Sequence, residues 1–289
     1  TLGSKSVAIG EQALNTQNFT TATDSNNTAV GYNAGKAITT GVENTLIGAL
    51  AGDALTATNE NTAVGKSALS TDTLGSRSTA IGQGTLASQN FTTSTQTFNT
   101  AVGFQAGTAV TTGVQNTLIG GLAGDALTDA DFNAAVGVGA LGSDTLGSRS
   151  VAVGQQALGT QNFTTATDTY NTAVGFFAGL NVTTGTLNTL IGGLAGDALT
   201  VGNSNTALGQ GALSSDTKGD TSVAIGILAL QDQNFTTSTD VYNTAVGAFA
   251  GENVTTGVRN TLIGGLAGDA QTTSNDNVAV GYSALTTET

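Results

Sequence analysis

Residues 6–24 read SVAIGEQALNTQNFTTATD, and closely related stretches begin at Ser78, Ser150 and Ser222. These starts are equally spaced, so the 289-residue chain is one sequence repeat written four times. A fixed internal period is the signature of a repeat architecture, in which each repeat packs mainly on its neighbours. We therefore expect a single repeat domain over residues 1–289, with sequence repeats at 6–77, 78–149, 150–221 and 222–289.

A shorter motif recurs inside each sequence repeat: Asn or Ser, usually Thr or Val, then Ala or Leu, usually Val or Ile, and Gly. In the second repeat its copies begin at Ser78, Asn99, Asn116 and Asn133, so one long coil precedes three shorter coils of equal length. The same spacing holds in every repeat and gives sixteen copies.

The motif asparagines recur at the same place in successive coils. We interpret them as a ladder of hydrogen bonds along a stack of coils. They are Asn27, Asn44, Asn61, Asn99, Asn116, Asn133, Asn171, Asn188, Asn205, Asn243, Asn260 and Asn277.

Within the motif the side chains alternate with a period of two, as in a β-strand. Val7 and Ile9 share one face, and Ser6 and Ala8 share the other. Each coil, of seventeen or twenty-one residues, has one such short strand with Gly at its end. This pattern predicts an all-β parallel β-solenoid whose coils stack about 4.8 Å apart. We expect the Val, Ile and Leu side chains, Ile119 and Ile191 among them, to be buried by this stacking.

Composition excludes several function classes. The net charge is −13 without any basic cluster, so nucleic acid and anionic lipid are poor partners. The apolar runs are far shorter than the roughly 20 residues of a membrane-spanning helix. The chain has no Cys and no His, which removes disulfides, the usual imidazole base, the thiol nucleophile and the preferred zinc ligands. We expect no enzymatic activity, no cofactor and no metal.

Two sets of aspartates recur with the sequence repeat, in AGDA and before the next long coil. We interpret them as turn residues, caps or solvated charges, with weak surface calcium as the alternative. Copies in successive repeats would lie about 19 Å apart, which is too far for a glycosidase pair. The two sets are Asp53, Asp125, Asp197 and Asp269, and Asp72, Asp144 and Asp216.

Each long coil carries an insertion, QNFTTATD or a close variant, at residues 17–24, 89–96, 161–168 and 233–240. Insertions in a solenoid map to loops on one side of the stack, often the binding side. The aromatic residues there are either a row of ligand-binding epitopes for a receptor or glycan, or packing residues at the end of a coil or between subunits. They are Phe19, Phe91, Phe163 and Phe235.

The same loops contain possible glycosylation sites, because Asn-Phe-Thr matches the acceptor triplet for N-linked sugar. Threonine-rich loops can also carry O-linked sugar. The candidate residues are Asn18, Asn90, Asn162 and Asn234, with Thr20, Thr92, Thr164 and Thr236.

Aromatic residues also precede the motif Asn, as at Phe98 and Tyr170, and follow the motif Gly, as at Tyr32 and Phe104. We interpret both columns as packing or a seam between chains, and we expect lateral self-association. Thr1 and Thr289 fall at the same phase of the repeat, which indicates a segment of a longer fibre or ends that stack on other ends.

SVAIG, NTAVG and NTLIG followed by xxA resemble the head repeats of trimeric autotransporter adhesins (the YadA-like head) and the shaft repeats of some phage and virus tail fibres. The resemblance covers all sixteen motifs, although both the short and the long coils exceed the usual length of the adhesin repeat. It implies a left-handed parallel β-roll, usually homotrimeric, on a cell or virion surface and without enzymatic activity.

We therefore expect a structural extracellular fibre, a rigid filament or shaft whose partners are other copies of the chain. The alternative is an adhesin head that presents the repeated loops to host glycan or matrix protein. An ice-binding solenoid, suggested by the threonine content, is disfavoured because the paired loop threonines recur only once per four coils.

Overall fold

A computed structural model describes residues 2–287, and these residues form an all-β parallel β-solenoid without any helix. The chain divides into two units, residues 1–148 and 149–289, and each is a stack of eight coils. The predicted fold class is confirmed. Thr1, Glu288 and Thr289 lie outside the described residues, and so does the expectation about the phase of the chain ends.

In the first unit, eight three-residue strands, one from each coil, pair in parallel in the order β2-β4-β5-β6-β8-β10-β11-β12. Each pairs with the equivalent strand of the neighbouring coil, as Thr100 does with Thr117 and with Thr79. Two-residue strands β1 and β3, and β7 and β9, form separate pairs at the long coils. The strands are β1 (Gly3–Ser4), β2 (Val7–Ile9), β3 (Thr23–Asp24), β4 (Thr28–Val30), β5 (Thr45–Ile47), β6 (Thr62–Val64), β7 (Gly75–Ser76), β8 (Thr79–Ile81), β9 (Thr95–Gln96), β10 (Thr100–Val102), β11 (Thr117–Ile119), β12 (Ala134–Val136) and β13 (Gly147–Ser148).

The second unit repeats this arrangement with the order β14-β16-β17-β18-β20-β22-β23-β24 and a short pair β19-β21. The strands are β14 (Val151–Val153), β15 (Thr167–Asp168), β16 (Thr172–Val174), β17 (Thr189–Ile191), β18 (Thr206–Leu208), β19 (Gly219–Asp220), β20 (Val223–Ile225), β21 (Thr239–Asp240), β22 (Thr244–Val246), β23 (Thr261–Ile263) and β24 (Val278–Val280).

The face of the strand that points inward is the one opposite to the prediction. The middle residue of each three-residue strand from β4 onward, such as Ala101 or Leu118, is buried, whereas Ile119 is 39% exposed and Ile191 is partly exposed. The predicted period of two is therefore right, but the assignment of the strand Val and Ile side chains to the core is wrong. Burial is confirmed for Leu side chains such as Leu118, and some Val and Ile side chains outside the strands, such as Ile38, are buried as well. Successive residues of a strand point to opposite faces, so choosing the wrong face places every strand side chain on the wrong side.

The core is narrow, and a large side chain in one coil fills the space that glycines leave in its own coil and in the neighbouring coil. Leu118 reaches over the glycines of two coils: a Cβ on Gly107 would lie 2.7 Å from its Cδ1, and a Cβ on Gly124 2.7 Å from its Cδ2. A coil carries a buried Leu at the equivalent position only where its own strand and the next strand both have a central Ala, as at Leu86 and Leu141. This exchange of volume explains why the pair after the motif is sometimes Ala-Gly and sometimes Ala-Leu.

The asparagine column forms a ladder, as predicted, although most of its bonds reach the main chain of a neighbouring coil. The Asn116 amide N–H donates to Asn99 Oδ1 at 2.9 Å, and the Asn133 N–H donates to Asn116 Oδ1 at 3.0 Å. Asn116 Nδ2 donates to the carbonyl of Ala130 at 2.7 Å. These bonds satisfy buried backbone groups in the turns between strands, which would otherwise be costly.

The ladder is interrupted where Ser replaces Asn. The Ser78 N–H still donates to Asn61 Oδ1 at 2.9 Å. In the next coil the Asn99 N–H meets only the hydroxyl of Thr97, at 3.4 Å, because the short Ser78 side chain supplies no amide oxygen. The long coil therefore begins at a weak point of the ladder.

The glycine that ends each strand is required by stacking. Gly120 has a φ of +132°, and a Cβ there would lie 2.5 Å from the carbonyl oxygen of Gly137 in the next coil. Other residues do not fit because both the backbone angle and the space exclude a side chain.

Candidate functional surfaces

The outward side chains of the strands form what we call the outer sheet face, with one column of mostly Thr and one of Val, Ile or Leu in each unit. On β11 these are Thr117 and Ile119, on either side of the buried Leu118. The hydroxyls of Thr100 and Thr117 make no hydrogen bond within residues 2–287, so this face offers both free hydroxyls and apolar side chains. No charged residue occurs at either column position.

Aromatic side chains flank the outer sheet face at both ends of the strands. Phe98 and Phe104 bracket β10, and Tyr170 and Phe176 bracket β16; each of these side chains is about half exposed. The apolar column runs through all eight coils of a unit, and its side chains are at least partly exposed, as at Ile119. A contiguous exposed apolar surface marks an interaction site. Such a surface is typical of a protein–protein interface.

Ion pairs border the outer sheet face and take up four of the seven basic residues. Arg77 pairs with Glu60 at 3.1 Å, and its guanidinium lies over the ring of Phe98, 5.6 Å from the centroid. The hydrogen bond from Arg259 holds the pKa of Asp276 below its ordinary value. The border is therefore nearly neutral and not a basic patch.

The phenylalanines of the long coils are packed inside and not displayed. Phe19, Phe91, Phe163 and Phe235 are only 5 to 8% exposed. Gly3 makes room for the first of them, since a Cβ there would lie 2.7 Å from Phe19 Cδ2. The burial favours the packing interpretation over direct contact with a ligand, and it leaves the following Thr-Thr-Ala or Thr-Thr-Ser residues exposed at the loop tips.

The candidate glycosylation residues of these loops are exposed, and the asparagines also serve the fold. Asn90 Oδ1 accepts a hydrogen bond from Thr73 Oγ1 at 3.1 Å, and Thr56 Oγ1 donates to the carbonyl of Thr73 at 2.8 Å. Sequence reasoning missed this threonine ladder, although Thr recurs twelve residues after the motif Asn in every short coil. Glycosylation stays a prediction.

The aspartates that precede the second, third and fourth long coils are buried, and Asp72 acts as a cap, in agreement with one of the predicted roles. Asp72 Oδ1 accepts the N–H of Gly75 at 3.0 Å and that of Phe91 at 3.2 Å, and its Oδ2 accepts from Gln89 Nε2 at 2.6 Å. Sequence reasoning missed Gln89, although its Gln recurs eleven residues after the motif Ser in every sequence repeat.

The AGDA aspartates are partly buried. Burial raises the pKa of the Asp53, Asp125 and Asp197 carboxyls above the ordinary value. One carboxylate oxygen of Asp53 and of Asp197 is enclosed without a hydrogen-bond partner. Within residues 2–287, no three His, Cys, Asp or Glu side chains come together as a metal site would require.

The part of the chain that the structure describes contains no helix long and apolar enough to cross a membrane. The regions with functional potential are the outer sheet face, the loop tips and the buried polar groups around Asp72.

No family model matches the chain, and neither a curated protein nor a solved structure is detectably similar to it.

Proposed function

We propose that this chain is a structural segment of an extracellular fibre, on a cell or virion surface, and not an enzyme. The confirmed solenoid supports this role because, over residues 2–287, its short coils repeat the same strand pairing and the same asparagine hydrogen bonds. The resemblance of the motifs to adhesin-head and tail-fibre repeats also supports it.

The observation that carries the proposal is the outer sheet face. In each unit it presents free threonine hydroxyls, columns of Val and Ile, and flanking aromatic side chains, with charges only at its border. A regular apolar surface of this kind fits a second surface with the same repeat. The partner is therefore other copies of this chain, associated laterally, and the motif resemblance favours three copies.

Sedimentation tests this directly. We expect the chain at micromolar concentration to form a defined oligomer, and the double variant Ile47→Lys/Ile119→Lys to dissociate because it places charges on the outer sheet face. A matched variant, Thr21→Lys/Ser94→Lys, adds the same charge at two exposed loop tips and should keep the oligomer. A wild-type monomer, or equal dissociation of the two variants, would contradict the proposal.

A second function, adhesion, is favoured by one observation: each long coil presents an exposed Thr-rich tip above a buried Phe. A row of identical tips would bind host glycan or matrix protein through avidity. The same two variants separate the functions. Adhesion to a panel of immobilised glycans and matrix proteins should fall in Thr21→Lys/Ser94→Lys, which alters two of the four tips and so reduces avidity, while the oligomer persists.

A further inference from the structure

A buried cluster of polar side chains surrounds Gln89 in the second long coil. Gln89 Nε2 lies 2.6 Å from Asp72 Oδ2 and 2.9 Å from Ser78 Oγ, and Asn99 Nδ2 donates to Gln89 Oε1 at 2.9 Å. The orientation of the amide is fixed, because a flipped Gln89 would place its oxygen against the Asp72 carboxylate. All four side chains are essentially inaccessible to solvent.

These contacts bring together the parts of an acyl-transfer site. Ser78 supplies a hydroxyl nucleophile: its Oγ accepts a hydrogen bond from Gln89 Nε2 at 2.9 Å, which places it beside the carboxamide whose carbon it would attack. Asn99 donates to the carbonyl oxygen, where negative charge develops when the carbonyl is attacked. Asp72 faces the amide nitrogen, which must gain a proton to leave. The folded protein holds these groups in place, which removes the entropy cost of bringing them together.

We propose that Ser78 and Gln89 form an intramolecular ester cross-link without any other reactant. The bond between Ser78 Oγ and Gln89 Cδ forms, the bond between Cδ and Nε2 breaks, and the hydroxyl proton passes to the nitrogen, which leaves as ammonia. The Asp72 carboxylate stabilises the positive charge that develops on this nitrogen. Burial excludes water, so the ester is protected from hydrolysis.

The second unit contains the same site with one informative difference. Gln233 Nε2 lies 2.6 Å from Asp216 Oδ2 and 2.9 Å from Ser222 Oγ, and Asn243 Nδ2 donates to Gln233 Oε1 at 2.9 Å. In the first unit the Ser78 hydroxyl is also bonded to that of Thr97, at 2.6 Å, but Val241 occupies that position here. Ser222 therefore lacks this competing hydroxyl, and we expect its ester to form at least as completely.

Intact-mass spectrometry of the purified, folded chain tests the proposal. We expect the mass to be lower than that of the sequence by one ammonia for each cross-link, with at least two losses, from the Ser78 and Ser222 sites. The tryptic peptide 78–149 should lack fragment ions from cleavage between Ser78 and Gln89, and hydroxylamine should restore them by opening the ester.

The two sites provide internal controls. Ser78→Ala should abolish the loss of ammonia from peptide 78–149 and leave that from the Ser222 site intact. Asp72→Asn should slow only the first of the two. A wild-type mass equal to that of the sequence overturns the proposal, and so does an ammonia loss from peptide 78–149 that persists in Ser78→Ala. Neither result bears on the sedimentation test of the fibre.

Discussion

The two faces of a single strand differ sharply in burial, whereas equivalent positions in successive coils are alike. On β11, Leu118 is fully buried and its neighbour Ile119 is 39% exposed, although both are large aliphatic residues. The inner face is shared by the Asn ladder and the central Ala or Leu of every strand, and the outer face by Thr with Val or Ile. The comparison teaches that regularity of residue size and hydrogen bonding, more than hydrophobicity, decides which face forms the core.

The largest difference in stability is expected when the same charge is placed on the inner and on the outer face. Leu118→Asp places a carboxylate in the closed interior and should cost about 5 kcal/mol of unfolding free energy. Ile119→Asp leaves its charge in solvent and loses only part of the packing of Ile119, so it should cost about 1 kcal/mol. Chemical denaturation of both variants, below the concentration at which the chain associates, measures the difference; similar losses would show that the faces are misassigned.

A second pair of variants sharpens the comparison at the end of the same strand. Gly120→Ala should cost about 3 kcal/mol, because its Cβ would collide with the carbonyl of Gly137 at a φ of +132°. Gly121 has nothing within 4 Å of its Cβ position, so Gly121→Ala should change the stability by less than about 0.5 kcal/mol. Thermal unfolding of the two proteins provides the measurement. Equal melting temperatures would mean that the coils have room to separate.

The smallest effect on stability is expected at Asp197, which belongs to neither strand face, and this effect depends on pH. Burial raises the folded-state pKa of Asp197 above its unfolded value, so the folded state binds the proton more tightly. The contribution of this residue to stability therefore falls as pH rises through the folded pKa. Asp197→Asn should raise the melting temperature at neutral pH, and the gain should vanish in acid, below the ordinary pKa of a carboxyl. An equal gain in melting temperature at both pH values would show that the gain does not come from the ionisation of Asp197.

Much of the fold could be predicted because the sequence repeats its local rules. The spacing of the motifs gave the coils, and the alternation within NTLIG gave the strands. The inward face could also have been found, since Thr117 shares a face with Ile119, whereas the position of Leu118 is Ala or Leu in all sixteen strands. The prediction failed because it ranked side chains by size and apolar character.

The candidate sites were harder to predict, since their partners are distant in sequence. From sequence alone, Phe91 fits an exposed epitope as well as a packed residue. Its burial is visible only in the folded coil. Gln89 contacts Asp72, seventeen residues earlier, and Asn99, ten residues later, and nothing in the local sequence marks this meeting. Only the stacking of a long coil on its neighbours brings these groups together.

The break in the asparagine ladder at Ser78 has a mechanical consequence for the first unit. A pull along the direction of stacking loads every contact between coils in series, so separation begins at the weakest one. The contact between the coils of Ser78 and Asn99 keeps its strand pairing but lacks the amide oxygen that other coils supply to the next N–H. The long coil offsets this loss with the bond from Asn99 Nδ2 to Gln89 Oε1 and with the β7–β9 pair, so the resistance of this contact to tension depends on side chains that the short coils do not use.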